Sequence, residues 1–352
     1  MLPLLAVMGL AFGIAFLLTP GVIKLAPKWG AVDRPNFRKV HNRTMPRMGG
    51  LAIYLSFVLT LLFTQPLNDT RLIGLLIGST LIVLVGLADD IWNLSPRLKL
   101  CGQILAALVL VVMGIEVQYI TNPLSGGLVS LGFLAAPLTV LWLVGVTNAV
   151  NLIDGLDGLA AGVSIVAATT LAIVGWRAGQ IDIAVWALIL AGGTLGFLRY
   201  NFYPARLFMG DSGAMFLGFN LAALSLLSFT KSTTAFSLII PFIILGIPIL
   251  DTLCAIIRRS VAGQPIFQAD KEHLHHRLLE LGLSHRKTVL IIYALSATFS
   301  LSAIALTYFS RPEAMLLLGG LTVGTLIGAG KLGVLGTSTR NPSSERYRGI
   351  SH

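Results

Sequence analysis

Residues 71–100 read RLIGLLIGSTLIVLVGLADDIWNLSPRLKL, an apolar run followed by two adjacent acids. The run from 71 to 88 approaches the roughly 20 residues that a helix needs to cross the hydrocarbon core of a bilayer. Because that core holds no water, a crossing segment must pair its own backbone polar groups, which favours helices over open strands. The stretch therefore predicts a membrane-spanning helix that ends in carboxylates.

The same pattern recurs along the 352 residues, of which 55% are hydrophobic and only 11% charged. A mean hydropathy of +0.84 places the chain among integral membrane proteins. We predict an all-α, polytopic membrane protein in which residues 1–335 form one domain and the polar segment 336–352 is disordered. About eleven spans are expected, at residues 2–25, 48–64, 71–88, 99–117, 132–150, 157–175, 181–199, 213–229, 235–257, 288–308 and 314–335.

The distribution of Lys and Arg predicts the orientation. If the N-terminus is outside, the outer loops receive only four of the 25 Lys and Arg residues: Arg71, Arg177, Lys231 and Arg311. Since cytoplasmic loops carry an excess of Lys and Arg, we expect an outer N-terminus, a cytoplasmic C-terminus and an odd number of spans. The net charge of +10 is explained by the inner leaflet and by a phosphate ligand, so no nucleic-acid partner is needed.

Most acids fall in short motifs on the predicted inner side: VDRPNFRKVH, LADDIWNL, NAVNLIDGLDG, FMGDSG and the loop with HLHHR. Asp89 and Asp90 end the third span, where the partial negative charge of the helix terminus is unfavourable for carboxylates unless a cation compensates them. Neighbouring residues point about 100° apart on a helix, so the two acids are expected to have different partners. The alternative is that both lie in interfacial water beside Arg97 and Lys99.

Two further motifs offer oxygen ligands. Asn148, Asn151, Asp154 and Asp157 recur at every third residue and predict a curved polar ledge for a nucleotide or for the surroundings of a metal; an ordinary helix end is the alternative. In FMGDSG, Asp211 lies between glycines at the start of a span, where backbone N–H groups favour phosphate and a carboxylate can hold Mg²⁺. An ordinary N-cap is the alternative for this motif.

Residues 271–280, KEHLHHRLLE, predict a short amphipathic helix at the membrane interface. His273 and Arg277 are four residues apart and would share a face of that helix. We favour recognition of an anionic or sugar-bearing ligand. A zinc site and a solvated basic loop remain as alternatives, although neither paired cysteines nor an HExxH motif supports zinc.

Six motifs carry a resemblance to a known family, in this order: RKVHNRTMPRMGG, LADDIWNLSPRLKL, GVTNAVNLIDGLDGLA, YNFYPARLFMGDSG, LGIPILDT and DKEHLHHRL. Over nearly its whole length the chain resembles the polyprenyl-phosphate N-acetylhexosamine-1-phosphate transferases. The resemblance implies transfer of a sugar phosphate from a UDP-sugar to undecaprenyl phosphate, with release of UMP, at the cytoplasmic face of the bacterial inner membrane. HLHHR is similar to the branch that uses UDP-N-acetylglucosamine for envelope polysaccharides. The muramoyl-pentapeptide branch, with three consecutive histidines, is the alternative.

The resemblance also implies roles for individual residues. Asp211 would bind Mg²⁺ or, alternatively, Mn²⁺, Asp89 and Asp90 would support the metal and prepare the lipid phosphate, and Lys99 would contact that phosphate. The nucleotide region would contain Asn151, Asp154, Asp157 and Phe208, the last stacked on uracil. The sugar or diphosphate would meet His275, His276 and Arg277, and further candidates are Asp33 and Arg47. Expected partners are UDP-N-acetylglucosamine, undecaprenyl phosphate and membrane lipids, and the sequence leaves a homodimer open.

A secondary transporter is the main rival from another class of protein. It would place polar groups near the middle of the spans and broken helices in corresponding halves of the chain. The sequence shows neither pattern. A purely structural membrane protein would not need several polar motifs on one side, so the enzyme is the favoured hypothesis.

Overall fold

The computed structural model describes residues 2–33, 44–121, 127–229, 239–264 and 273–333. The described helices are α1 (Leu2–Leu25), α2 (Gly50–Thr64), α3 (Thr70–Trp92), α4 (Pro96–Val112), α5 (Ala135–Leu152), α6 (Leu159–Arg177), α7 (Ile181–Asn201), α8 (Gly210–Phe229), α9 (Ile239–Ile244), α10 (Gly246–Val261), α11 (Leu274–Glu280), α12 (His285–Leu306) and α13 (Arg311–Lys331). Strands β1 (Val32–Asp33) and β2 (Met45–Pro46) form one small antiparallel ladder, and β3 (Tyr119–Thr121) and β4 (Leu128–Ser130) form another.

Within the described ranges, eight helices are long and apolar enough to cross a membrane: α1, α3, α5, α6, α7, α8, α12 and α13. The predicted all-α polytopic membrane protein is confirmed. The predicted spans over α2, α4 and α10 correspond to helices of only 15, 17 and 16 residues, roughly 22–26 Å at 1.5 Å per residue and shorter than the hydrocarbon core. The span predicted at 235–257 divides into α9 and α10, and its first residues lie outside the described part of the chain, as does the predicted tail 336–352.

Helix α8 forms the centre of the bundle. In an 18-residue apolar stretch within Gly210–Ser228, 89% of the residues are buried, whereas the corresponding share in α13 is 6%. Phe216 of α8 receives the rings of Tyr54 and Phe57 edge-on, and the Ser79 hydroxyl of α3 donates to Asn220 Oδ1 at 2.9 Å. A residue placed on α8 is therefore held by helices on several sides.

The first turn of α8 lies in direct contact with the end of α3 and the start of α2. A Cβ at Gly86 of α3 would overlap the backbone of Ser212, and a Cβ at Gly50 of α2 would overlap the backbone of Gly213. Glycine removes the side chain that would keep the helices apart, as at other close crossings of membrane helices. This approach brings Asp211 beside the acids that end α3.

Candidate active site

Asp90 holds the N-terminus of α8. Its Oδ1 accepts a hydrogen bond from the backbone N–H of Asp211 at 2.8 Å, and its Oδ2 accepts from the N–H of Ser212 at 3.1 Å and from the Ser212 hydroxyl at 2.7 Å. The first N–H groups of a helix lack partners within the helix, and a carboxylate there also opposes the positive end of the helix dipole. Asp90 is 3% exposed, so both oxygens are used inside the protein.

Gly210 makes the contact with Asp90 sterically feasible. It has φ 75°, a left-handed conformation that glycine adopts without strain. A Cβ at this position would come within 2.5–2.9 Å of the atoms of the Asp90 carboxyl group. The glycine that the sequence associated with anion binding therefore accommodates a carboxylate of the protein itself.

Asp89 faces a different set of partners, as the helical spacing predicts. Its Oδ2 lies 2.6 Å from Lys99 Nζ of α4, and its carboxyl group is within hydrogen-bonding distance of that of Asp211. Lys99 Nζ is also 3.6 Å from Asp211 Oδ2. Two carboxylates from α3 and α8 thus meet beside one lysine.

Arg47 bridges the other side of this cluster. Its Nε donates to Asp90 Oδ1 at 3.1 Å, and its Nη2 donates to Asp211 Oδ2 at 3.0 Å. The arginine follows β2, whose Met45 pairs with Asp33 of β1, and Asp33 is near enough to act electrostatically on Arg47. Asp33 and Arg47, the further candidates from the sequence, therefore lie at the same cluster.

The acids Asp89, Asp90 and Asp211 outnumber the cations Lys99 and Arg47, which leaves room for another positive charge. Among the residues that the structure describes, no three His, Cys, Asp or Glu side chains form a metal site. Mg²⁺ is commonly held by one or two carboxylates together with water and substrate phosphates, whereas structural zinc takes four protein ligands. The paired carboxyl groups of Asp89 and Asp211 fit Mg²⁺, and the zinc alternative for the histidines gains no support.

The residues of the predicted polar ledge contact different parts of the structure. Asn151 Nδ2 donates to Asp211 Oδ1 at 2.6 Å, so this amide reaches the acid cluster directly. Asn148 instead binds Gln103 of α4, to whose Oε1 it donates at 2.7 Å. Asp157 Oδ2 accepts from the backbone N–H of Ala205 at 2.9 Å, which ties the ledge to the segment before α8.

Asp154 lies between these residues in the turn after α5. Burial raises its pKa to about 7, and the negative charges of Asp211, Asp90 and Asp157 act in the same direction. Burial and the nearby negative charges thus both favour the neutral form of this carboxyl group. A bound cation would offset the negative charges, whereas the protonated carboxyl group could donate a hydrogen bond to a ligand.

Phe208 lies in the short segment between α7 and α8. Its backbone pairs with the Arg47 region, since its N–H donates to Pro46 O at 2.9 Å and its carbonyl accepts from Gly49 N at 3.1 Å. The side chain is half-buried. The structure thus places Phe208 next to Arg47, and its stacking on a base stays a prediction.

The predicted helix with the histidines is α11, and it lies against the turn that contains Asp154. His275 is 2% exposed, and a Cβ at Gly155 would overlap its ring. Burial first, and then the neighbouring His276, lower the pKa of His275 from 6.5 to about 3, so the ring is neutral at physiological pH. His276 and Arg277 are only half-buried, and Arg277 Nη1 lies 3.4 Å from Glu280 Oε2.

Sequence reasoning assigned no role to several polar residues that build this region. Asn201 donates to Leu207 O at 2.9 Å and accepts from Gly158 N at 3.1 Å, which joins the segments before α6 and α8. Asp251 of α10 binds the start of α11 through His273 and Leu274. Its signal was an acid within an apolar run, since buried charges are normally paired.

The fold and the site together define a class of protein. Apolar helices gather carboxylates, Lys99 and Arg47 at one end of a bundle, which defines an integral membrane protein with a polar site at its helix ends. A model of glycosyl transferase family 4 matches residues 72–229, which include the acids of α3 and α8 and those of the turn after α5.

Three relatives extend this match over most of the chain. A probable undecaprenyl-phosphate N-acetylglucosaminyl 1-phosphate transferase of Bacillus subtilis is 48% identical over 290 residues, 82% of this chain and 81% of that protein. A decaprenyl-phosphate N-acetylglucosaminephosphotransferase of Mycobacterium tuberculosis is 38% identical over 91% of this chain and 87% of its own length. A phospho-N-acetylmuramoyl-pentapeptide-transferase of Halalkalibacterium halodurans is 31% identical over 86% and 97%. The chain belongs to glycosyl transferase family 4, the polyprenyl-phosphate N-acetylhexosamine-1-phosphate transferases.

Proposed function

We propose that this protein transfers N-acetylglucosamine-1-phosphate from UDP-N-acetylglucosamine to undecaprenyl phosphate. An oxygen of the lipid phosphate attacks the phosphorus that carries the sugar, the bond to the bridging oxygen of the diphosphate breaks, and UMP leaves. The product is a lipid with a pyrophosphate-linked sugar, the first membrane intermediate of an envelope polysaccharide. The identities of 48% and 38% to N-acetylglucosamine-1-phosphate transferases, against 31% to the muramoyl-pentapeptide enzyme, support this donor.

The proposal includes a single domain over residues 1–335 with about eleven passes through the bacterial inner membrane, an outer N-terminus and a cytoplasmic site. The end of α3 contacts the starts of α4 and α8, and the end of α5 contacts the start of α8. This arrangement requires alternating helix directions, and it agrees with the concentration of Lys and Arg on one side. A water-soluble UDP-sugar reaches a site at that face directly.

The observation that carries the proposal is the meeting of Asp89 and Asp211 beside Lys99 and Arg47. Asp211 and Asp89 would hold Mg²⁺ or, alternatively, Mn²⁺. When bound, the metal would stabilise the negative charge of the diphosphate and the negative charge that develops as the phosphoryl group is transferred. Lys99 contacts both carboxylates and Arg47 contacts Asp211, and both cations would also bind the phosphates of donor and lipid.

Direct attack by the lipid phosphate is the route that the geometry supports. A phosphate monoester is largely ionised at neutral pH and needs little activation. Both oxygens of Asp90 accept hydrogen bonds from the protein, and Asp89 is paired with Lys99, so neither acid is a free nucleophile for a covalent intermediate. Asp90 contributes by placing Asp211, and Lys99 by binding the lipid phosphate.

The donor would lie along the ledge between the acid cluster and α11. Asn151, Asp154 and Asp157 would face the nucleotide, with Phe208 against uracil. His276 and Arg277 are half-buried and would reach the sugar or diphosphate. His275 is buried against the ledge and would support α11 without contacting the donor.

The test uses purified protein with undecaprenyl phosphate, Mg²⁺ and a panel of UDP-sugars, with mass spectrometry of the lipid product. We expect UMP release and a lipid-pyrophosphate N-acetylglucosamine, and no product with Asp211→Asn. Consumption of the muramoyl-pentapeptide donor would assign the other branch. Failure to release UMP with every donor would refute the proposed function.

A further inference from the structure

Asp251 and His273 form a buried pair between α10 and α11. Asp251 Oδ2 lies 2.8 Å from His273 Nδ1, and Asp251 Oδ1 accepts from the backbone N–H of Leu274 at 2.8 Å. Each of the two residues is 5% exposed. One carboxylate therefore fixes both the imidazole that precedes α11 and the first N–H group of that helix.

Helix α11 needs such an external anchor. It has only seven residues, and isolated helices shorter than about 12 residues are marginal in water. His273, at its N-cap, makes no side-chain capping bond, so Asp251 supplies the acceptor and the negative charge that a helix N-terminus favours. The position of α11 thus depends on a residue of another helix.

The same helix carries the proposed donor contacts. His275 packs on Gly155 of the ledge, and His276 and Arg277 follow on the half-buried surface. A small rotation of α11 would move these two side chains together while Asp89, Lys99 and Asp211, on other helices, stay in place. We propose that Asp251 and His273 are positioning residues that set the affinity for the UDP-sugar through the placement of His276 and Arg277. This inference rests on the proposed function.

The test compares variants that keep or lose one hydrogen bond. The amide nitrogen of Asn can occupy the position of Nδ1 of histidine, whereas that of Gln extends to the position of Nε2. His273→Asn therefore keeps a donor for Asp251, and His273→Gln and Asp251→Ala lose the pair. Asp182→Asn, an exposed acid at the start of α7, is the matched control.

We expect His273→Gln and Asp251→Ala to raise KM for the UDP-sugar at least tenfold, which corresponds to about 1.4 kcal/mol. kcat and KM for undecaprenyl phosphate should stay within about threefold of the wild type, because a donor-binding contact affects KM alone. His273→Asn and Asp182→Asn should retain the wild-type KM.

Three results would overturn the proposal: an unchanged donor KM in His273→Gln and Asp251→Ala, a parallel fall in kcat and rise in both KM values, or a loss in His273→Asn equal to that in His273→Gln. An inactive wild type would instead refute the proposed function. In that case, hydrogen exchange of the amides of residues 274–280 decides, since unchanged protection in Asp251→Ala excludes the positioning role.

Discussion

Replacing Asp90 separates a residue that positions the site from one that reacts. Asp90 accepts three hydrogen bonds from the first turn of α8 and one from Arg47. In Asp90→Asn the amide can still accept on one side and can donate to the Ser212 hydroxyl on the other. The main loss is the bond to one backbone N–H, and the side chain keeps its shape.

The expected magnitudes follow from these contacts. A hydrogen bond to a charged group contributes about 1.5–3 kcal/mol, so Asp90→Asn should lower the free energy of unfolding by about that amount. Asp90→Ala removes all four bonds but also relieves repulsion from Asp211. Breaking a buried ionic interaction costs about 3–5 kcal/mol, which is the loss we expect for Ala.

The assay measures unfolding in detergent and UMP release with the same preparations. If Asp90 acts by placing Asp211, stability and activity should fall together, and more in Ala than in Asn. Ser79→Ala, which removes a buried hydrogen bond to Asn220 of the same helix, is a control that should lower stability without a matching loss of activity. An Asp90→Asn protein with wild-type stability and no turnover would refute the reasoning and assign Asp90 a direct chemical role.

Three further predictions concern metal binding, pH and packing. Asp211→Asn should abolish Mg²⁺-dependent exchange of UMP with UDP-N-acetylglucosamine in a folded protein, and retained exchange would remove Asp211 from the metal site. Because the pKa of His275 lies at about 3, below its usual 6.5, α11 should be fully stabilised above pH 6.5 and should loosen as the pH falls from 6.5 toward 3. Hydrogen exchange of residues 274–280 at pH 7 and 5, corrected for intrinsic rates, checks this; His275→Asn should lose the pH dependence, and equal protection in the wild type contradicts it. Gly162→Ala should cost about 1–3 kcal/mol of stability because its Cβ would overlap the Tyr293 ring, whereas Gly145→Ala, with open space around it, should be neutral in thermal unfolding.

The helical membrane architecture was predictable because the bilayer imposes a length on each apolar run. The predicted limits were less accurate at α2, α4 and α10, whose helices of 15, 17 and 16 residues are shorter than the predicted spans. The end of such a short helix is set by a turn or a tertiary contact, and neither is visible in the hydropathy of the sequence. The division of the span at 235–257 into α9 and α10 likewise had no clear signal in hydropathy.

The gathering of Asp89, Asp211 and Lys99 was also predictable, since each follows or precedes an apolar run on the same side. Which acid meets which partner was not. Asp90 binds backbone N–H groups 121 and 122 residues further along the chain, and such a contact leaves no periodic pattern. Asp251 stands out as an acid within an apolar run, but its partner His273 is 22 residues away along the chain and no local pattern identifies it.

The burial of α8 has a consequence for inhibitors of this site. The backbone of its first turn packs directly on Gly50 and Gly86, which fixes the position of Asp211, so a compound that binds this carboxylate meets a preformed surface. Resistance substitutions at Gly50 or Gly86 would also displace Asp211 and impair the enzyme. Substitutions that confer resistance without loss of activity should therefore arise on α11 and on the segment that contains Phe208.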